Sequence, residues 1–157
     1  MNSKKIKEIL ELVLPSHTVN FLDVFPRDKA QSLSLSDQRF PLCFVANIDP
    51  SSKPGEHWVS FFYTNPHAPE FFDSLGLPPS IYGFHITPTI QCHYPIQSLF
   101  STVCGQYCIY FLYHRSLGSS FSDILAPFSR RDLEWNDSHV AHFVSQLVSF
   151  RYDINMN

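Results

Sequence analysis

The amino-acid sequence predicts an α+β fold, and three of its features carry that prediction. The run 107–113 is almost wholly apolar, which is typical of a helix buried on all sides, and this helix would begin at Cys104. Short apolar runs separated by turn residues between positions 42 and 73 predict an antiparallel meander of strands. Apolar residues at helical spacing near both ends predict flanking helices. The 157 residues, 44% hydrophobic and 15% aromatic, are expected to form one domain, 1–157, with a sizeable core.

The first predicted element is an amphipathic helix near the N-terminus. Ser3 can cap it, apolar residues follow at helical spacing, and Pro15 stops the pattern. These apolar residues are Ile6, Ile9, Leu10 and Val13. The stretch 17–35 contains Pro26 and polar breaks, so we expect it to be mostly irregular.

Three strands are predicted next, over 42–48, 57–63 and 71–73. The turns between them span 49–55 and 64–70, and such short connections favour antiparallel pairing. The segment 81–86 fits either a helix or a strand. The segment 89–95 is expected to be extended and to lead toward Gln97.

After the buried helix, residues 118–120 break the pattern, and two further helical segments are expected. The first is a short piece over 123–128. The second is the last helix, which Asp137 can cap. Its apolar face would consist of Val140, Phe143, Val144, Leu147 and Val148.

Cys104 stands between a polar stretch at 98–102 and the apolar run, so it would lie at a helix N-terminus. Unpaired N–H groups and the helix dipole favour an anion there, which should lower the pKa of the thiol and make it nucleophilic. Gly105 would let another chain approach the backbone closely. The alternative interpretation of a buried structural cysteine is the one we adopt for Cys108, which lies one turn later among apolar neighbours.

A nucleophilic cysteine needs partners, and the sequence offers them in the order His, Asp, Gln, Cys. His57 precedes Trp58, Asp73 comes sixteen positions after His57, and Gln97 lies seven positions before Cys104. Strand alternation would let His57 and Asp73 meet across neighbouring strands. Asp73 is also a residue typical of turns, and a single Gln in a loop carries little information.

In these residues the chain resembles the adenain-like cysteine proteases, the family of the adenovirus maturation protease and its Maverick/Polinton transposon relatives. The motifs are Gly55-Glu56-His57-Trp58, Phe72-Asp73-Ser74-Leu75-Gly76, Gln97 and Cys104-Gly105. The Ulp-type SUMO proteases belong to the same clan, but their Gln usually lies one residue nearer the Cys, so the spacing favours adenain. The resemblance implies an antiparallel or mixed central sheet packed against the helix that starts at the cysteine.

The resemblance also implies a His-Asp-Cys triad. Cys104 would attack a peptide carbonyl, His57 would shuttle the proton and Asp73 would orient the imidazole ring. Gln97 and the Cys104 backbone N–H would form the oxyanion hole.

Two further residues are expected at the substrate. Trp58 is expected to pack beneath the site, with substrate contact as the other interpretation. Gly105 is expected to leave room for the substrate backbone. The implied activity is endopeptidase cleavage near glycine-containing sites, because a narrow cleft admits only small residues there.

The expected partners are protein substrates, namely viral or transposon capsid precursors. An activating peptide is a further candidate partner, although the adenovirus cysteine that binds it has no clear counterpart; Cys92 is the nearest, closer to Gln97 than in those enzymes. The net charge of −3 does not suggest nucleic-acid binding. The alternative functions are a deubiquitinase or SUMO-specific protease, and a catalytically decayed binding module of the same fold.

The four cysteines are expected to be reduced thiols rather than two disulfides, because no secretory signal is seen. The expected location is therefore intracellular, in the host nucleus or cytoplasm or in a virus particle. No apolar stretch approaches the roughly 18 residues of a membrane span.

His139 and His142 lack a cysteine or carboxylate cluster, so no metal or other cofactor is expected. The pair Arg130-Arg131 is expected to be solvated.

Overall fold

The computed structural model describes residues 1–156 of the chain, with side chains to residue 154, and contains a mixed five-stranded sheet. The strands follow one another across the sheet in chain order: β1 (Asn20–Phe25), β2 (Leu42–Asn47), β3 (Trp58–Tyr63), β4 (Pro69–Phe72) and β5 (Ile90–Gln91). The predicted meander forms, because β2, β3 and β4 pair antiparallel. The two outer pairs, β1 with β2 and β4 with β5, are parallel.

The helices are α1 (Ser3–Val13), α2 (Arg27–Gln31), α3 (Cys104–Ser116), α4 (Phe121–Leu125) and α5 (Leu133–Met156). Helix α3 begins at Cys104, as predicted, and packs on β3 with α1 and α5 beside it. The stacked rings of Phe72 and Phe111, with centroids 4.5 Å apart, join the sheet to α3. A buried helix against a mixed sheet is the α+β arrangement that the sequence predicts.

Both faces of the sheet are covered, which explains why every residue of β2 is buried. One face carries α1, α3 and α5. The other face forms a second core, in which Phe61 contacts the rings of Phe44, Phe71 and Phe84. None of the helices within the described residues is long and apolar enough to cross a membrane.

The expectation of an irregular segment at 17–35 is wrong, because β1 and α2 lie there. Strand β1 is only half-buried and forms by pairing with β2, so its own residues show little alternation. The turn predicted at 64–70 is also too long, since β4 already begins at Pro69. The segment 81–86, which fitted either a helix or a strand, begins inside a short 3₁₀ helix, Pro79–Tyr82. Gly83 is the C-cap of that helix.

Three predicted helix starts differ from the structure. Asn2, and not Ser3, caps α1, because its side-chain oxygen accepts from the Lys5 N–H at 2.9 Å. Helix α4 starts at Phe121, two residues before the predicted position, with Ser120 as its cap. Helix α5 starts at Leu133, so Asp137 lies inside the helix and is not its cap. The apolar face predicted for α5 packs on the core.

Candidate active site

The sheet and α3 bring the four predicted site residues to one edge of the molecule. His57 directly precedes β3 and Asp73 directly follows β4; these strands are antiparallel, with Ser60 opposite Phe72, so both side chains emerge at the same edge. Helix α3 crosses β3 and begins there with Cys104. Gln97 lies in the loop between β5 and α3.

The His57 ring has a carboxylate partner on one nitrogen. Its Nε2 atom lies 2.7 Å from Oδ1 of Asp73, and both side chains are buried. Cys104 lines the same cleft and interacts with the ring, and Nδ1 is the nitrogen that remains available to the thiol. Asp73 can only accept when ionised, so Nε2 is protonated and Nδ1 faces the thiol.

The electrostatics favour a thiolate–imidazolium pair. Burial lowers the pKa of His57, but the hydrogen bonds and negative charges of Asp73 and Cys104 outweigh burial and raise that pKa to about 9. Burial raises the pKa of the Cys104 thiol, but the hydrogen bond and charge of His57 outweigh it and lower that pKa. Backbone N–H groups of Trp58 and Gly105 lower it further. A thiolate at the start of a helix is the nucleophilic form of cysteine.

The Asp73 carboxylate is bonded both to the histidine and to the turn that follows it. Besides His57, its carboxylate accepts from the Leu75 N–H at 3.0 Å, the Leu77 N–H at 3.0 Å and the Tyr82 hydroxyl at 2.8 Å. These donors fix both carboxylate oxygens.

The turn after Asp73 requires glycine at position 76. Gly76 has φ 72°, and a Cβ there would lie 2.3 Å from the Tyr94 carbonyl carbon. No other residue fits this approach to the segment that leads to Gln97.

Gln97 is buried and hydrogen-bonded, although it lies in a loop. Its Oε1 accepts from the Ser74 hydroxyl at 2.6 Å, and its Nε2 donates to the Ser101 carbonyl at 3.0 Å. A carbonyl can only accept, so the amide orientation is fixed by chemistry. The second Nε2 hydrogen is left for another acceptor, and Gln97 lines the same cleft as Cys104.

This cleft has a volume of about 450 Å³. Trp58 forms part of its wall and donates from its indole Nε1 to the Met1 carbonyl at 3.1 Å, while the ring also packs against the core. A second, apolar groove of about 300 Å³ shares Leu75, Gln97 and Leu99 with the cleft and continues it.

The space beside Gly105 is filled by the chain itself, contrary to the expectation that it is left for a substrate. A Cβ on Gly105 would lie 3.1 Å from Cδ1 of Ile6 and 3.3 Å from Cβ of Met1. The close approach that this glycine permits is therefore that of helix α1.

The other three cysteines are buried and unpaired. Burial raises the pKa of the Cys43, Cys92 and Cys108 thiols, as the sequence predicted for Cys108. The Cys92 thiol donates to the Tyr94 carbonyl at 3.1 Å and is enclosed, so it cannot reach a second peptide without movement.

Two further predictions concern His139 and Arg130. No group of three or more potential ligands among the described residues could hold a metal ion, and the His139 ring stacks on Trp135 at 5.0 Å. Arg130 is not simply solvated, because its guanidinium lies 3.9 Å from the centre of the Tyr94 ring.

Sequence reasoning did not identify the side chains that bind Asp73, Gln97 and the residues next to Gln97. These are Ser74, Tyr82, Tyr107, Asn136 and Asp137. One signal was present: a tyrosine inside an apolar helix needs a partner for its hydroxyl when buried. The partners themselves lie far away along the chain and show no local pattern.

The fold is similar to that of a solved structure, whereas comparisons of the sequence find no match. No protein-family model matches the chain, and no curated protein sequence matches it. The crystal structure of the ASFV pS273R protease superposes with a TM-score of 0.61 at 16% identity, over 88% of this chain. The chain spans 65% of the length of that protease chain. At this identity the likeness shows the fold alone.

Two weaker likenesses accompany it. The SUMO protease Ulp1, with its catalytic cysteine oxidized to a sulfenic acid, aligns over 96% of this chain and 78% of its own, with 14% identity and a TM-score of 0.49. The central domain of the uncharacterized Lpg1148 protein from Legionella pneumophila aligns over 94% of this chain and 98% of its own, with 12% identity and a TM-score of 0.48. These scores are too low to carry a conclusion. The predicted α+β fold is confirmed, and it is similar to the fold of the ASFV pS273R protease.

Proposed function

We propose that the protein is a cysteine endopeptidase of the adenain-like type, with Cys104 as nucleophile. One observation carries the proposal: His57 and Cys104 line the same cleft, and buried Asp73 lies 2.7 Å from Nε2 of His57. In this arrangement the pKa of the Cys104 thiol is lowered and the pKa of His57 is raised. Side chains with such opposed shifts, placed in a cleft, are typical of nucleophilic catalysis.

In the first step the Cys104 thiolate attacks the carbonyl carbon of the scissile peptide bond. The carbonyl electrons move to oxygen, and the resulting oxyanion accepts from the free Nε2–H of Gln97 and the Cys104 backbone N–H. The C–N bond then breaks, and the leaving amine takes the proton from Nδ1 of His57. The product is a thioester between Cys104 and the acyl half of the substrate.

In the second step His57, now neutral, takes a proton from water, and the hydroxide attacks the thioester. The second oxyanion is stabilised by the same donors, the C–S bond breaks, and the sulfur leaves as the thiolate. The acid half is released, and the proton remains on His57. The pair returns to its starting charge state because His57 gives up one proton in the first half and regains one from water in the second.

The cleft geometry supports a polypeptide substrate. The cleft around Cys104 continues into the apolar groove, whose lining adds Leu77, Pro95 and Leu133. An extended polypeptide can place one side chain in the cleft and another in the groove. A small molecule the size of one pocket would fill only one of them. From the resemblance, we propose structural precursors of a virus or transposon, cut near glycine, as the substrates.

The test is cleavage of candidate capsid precursors and glycine-containing peptides, with cut sites mapped by mass spectrometry. We expect cleavage by the wild-type protein and none by Cys104→Ala. Fluorogenic ubiquitin and SUMO substrates run in parallel. Efficient cleavage of these alone would assign a deubiquitinase or SUMO protease. A reactive Cys104 without cleavage of any substrate would indicate a decayed binding module.

A further inference from the structure

The loop that carries Gln97 is anchored on both sides of that residue by side chains from two helices. Before Gln97, the Ile96 carbonyl accepts from the Tyr107 hydroxyl of α3 at 2.8 Å and from Nδ2 of Asn136 of α5 at 2.9 Å. After Gln97, the Ser98 backbone N–H lies 3.3 Å from the Asp137 carboxylate, and the Ser98 hydroxyl also donates to it.

These anchors are joined to one another, and two of the three are fully buried. Tyr107 and Asn136 are fully buried, and the Tyr107 hydroxyl also lies 3.0 Å from Oδ1 of Asp137, so its single proton is shared between two acceptors. Asn136 is saturated, because Nδ2 also donates to the Ser129 carbonyl at 2.7 Å and Oδ1 accepts from the Ser129 N–H at 2.8 Å. A fully bonded network of this kind specifies one geometry.

Apolar packing does not supply that geometry at the tip of the loop. Leu99 and Phe100, which directly follow Ser98, are 76% and 95% exposed. The Gln97 side chain is bound at its Oε1 and by one Nε2 hydrogen, to Ser74 and Ser101, and its backbone N–H donates to the Ser74 carbonyl at 3.1 Å. The second Nε2 hydrogen can point toward the cleft only if the backbone is correctly placed. The Ser74 carbonyl holds the backbone at Gln97 itself, and the contacts of Ile96 and Ser98 hold it on either side.

We propose that Tyr107, Asn136 and Asp137 are positioning residues that hold Gln97 where the oxyanion forms. The inference rests on the proposed peptidase function and adds to it. None of the three lines the cleft around Cys104, and they act by fixing the backbone on each side of the donor. An oxyanion donor acts only from a narrow range of positions, and a displacement of about 1 Å can cost roughly 100-fold in rate.

The test compares Tyr107→Phe and Asp137→Asn with the wild-type protein in single-turnover peptide hydrolysis and in alkylation of Cys104. We expect hydrolysis to fall roughly 10- to 100-fold, and alkylation to stay within about twofold, because alkylation forms no oxyanion. Tyr110→Phe is the matched control. It removes a hydroxyl from the same helix, where Tyr110 makes ring contacts with Phe128 and Phe143, and it should retain wild-type hydrolysis.

The decisive comparison repeats both substitutions in a Gln97→Ala background. If the anchors act through Gln97, they should cause little further loss of hydrolysis there. An equal loss in both backgrounds, or a loss of alkylation in step with hydrolysis, would overturn the positioning role, as would wild-type hydrolysis in both single variants. Failure of the proposed function looks different, since the wild-type protein would then hydrolyse no substrate and both proposals would fall.

A thermal melt accompanies each variant, because Tyr107→Phe removes a buried hydrogen bond. Should Tyr107→Phe not fold, Asp137→Asn at the partly exposed end of the network carries the test alone. Amide exchange at 96–102 gives a second readout in folded protein. Faster exchange there, with unchanged exchange in α3, is expected, and unchanged exchange at 96–102 would overturn the proposal.

Discussion

The Ser74 hydroxyl donates to Oε1 of Gln97 at 2.6 Å in the protein interior. The Ser74 carbonyl also accepts from the Ile96 N–H at 2.9 Å and the Gln97 N–H at 3.1 Å. Ser74 directly follows Asp73 in the chain, so the turn that carries the carboxylate and the loop that carries the amide form one unit. A change at Gln97 must therefore affect stability as well as chemistry.

Gln97→Ala should slow peptide hydrolysis by roughly 10²–10³, because the oxyanion loses a donor. Alkylation of Cys104 should be nearly unchanged. The melting temperature should fall, since Ser74 and the Ser101 carbonyl lose their partner at a cost of about 1–3 kcal/mol.

Ser74→Ala is the matched control, because it removes one of these bonds and keeps the amide. It should lower the melting temperature with a smaller loss of hydrolysis. Gln97→Glu should be at least as harmful as Gln97→Ala, because a carboxylate repels the developing negative charge. Hydrolysis at the wild-type rate in Gln97→Ala would remove this residue from the oxyanion hole.

Iodoacetamide at about pH 6 should label Cys104 much faster than Cys43, Cys92 or Cys108, because only a thiolate reacts well. The pKa of the Cys104 thiol is lowered, whereas burial raises the pKa of the other three. In His57→Ala the labelling of Cys104 should slow, and its pH profile should move upward. Peptide mapping of the labelled protein gives the rates, and an unchanged profile in His57→Ala would exclude the pair.

The unfolding free energy should depend on pH differently in the wild-type protein and in Cys104→Ser. The His57 pKa is raised from 6.5 to about 9, so its contribution is fully present below pH 6.5 and is lost as pH rises through 9. The Cys104 pKa is lowered from 9.0, so its contribution is fully present above pH 9.0 and is lost as pH falls through the lowered pKa. Between pH 6.5 and 9 the two contributions to the free energy of unfolding change in opposite directions: the His57 contribution falls as pH rises, and the Cys104 contribution grows.

The Cys104→Ser substitution removes the contribution that grows with pH. Its melting temperature should therefore fall more steeply than that of the wild-type protein as pH rises across this window. Thermal melts in buffers at closely spaced pH values measure both slopes. Parallel curves for the two proteins would show that no thiolate–imidazolium pair exists.

Asp73→Asn should lower turnover, although by less than the about 10⁴-fold seen for the equivalent acid of a serine triad, because a thiolate forms more readily. It should also lower the melting temperature. An amide replaces one carboxylate oxygen by a donor, while Leu75, Leu77 and Tyr82 all present donors.

Tyr82→Phe is the matched control for Asp73, because it removes one donor and keeps the carboxylate. Its loss of turnover should be smaller than that of Asp73→Asn. Steady-state peptidase assays and melts on both variants make the comparison. Wild-type turnover in Asp73→Asn would leave this residue as a turn former alone.

Gly105→Ala should destabilise the fold, although alanine is the better helix former by roughly 0.5–1 kcal/mol. The new Cβ would lie 3.1 Å from Cδ1 of fully buried Ile6, and overpacking of a core typically costs about 1–3 kcal/mol. The overpacking cost exceeds the helix gain. Denaturant unfolding should show a lower midpoint.

Ile6→Val removes the Cδ1 atom and tests the cause of this loss. Gly105→Ala should cost less in the Ile6→Val background than in the wild-type background. Equal costs in both would mean that Ile6 is not the obstacle, and a stabilised Gly105→Ala would show that α1 moves aside.

The sequence by itself determined the elements whose signal is local. The apolar run after Cys104 predicts α3 and its first residue, because a helix buried on all sides needs no amphipathic pattern. Three apolar runs with short turns predict the meander β2–β3–β4. The sequence also identified the candidate partners of Cys104 by their spacing, namely His57, Asp73 and Gln97. The fold brings all four residues to one edge.

Only the tertiary structure decided the contacts between residues far apart in the chain. Strand β1 forms by parallel pairing with β2, so its half-buried residues carry no strand pattern of their own. Asp137 looked like a helix cap because Asp is favoured there, but in the fold it binds Ser98, 39 positions earlier. Gly105 was expected to leave room for a substrate backbone, but the Ile6 side chain fills the space beside it. Local propensity reports what a segment can form, whereas burial and hydrogen-bond partners depend on which distant segment packs against it.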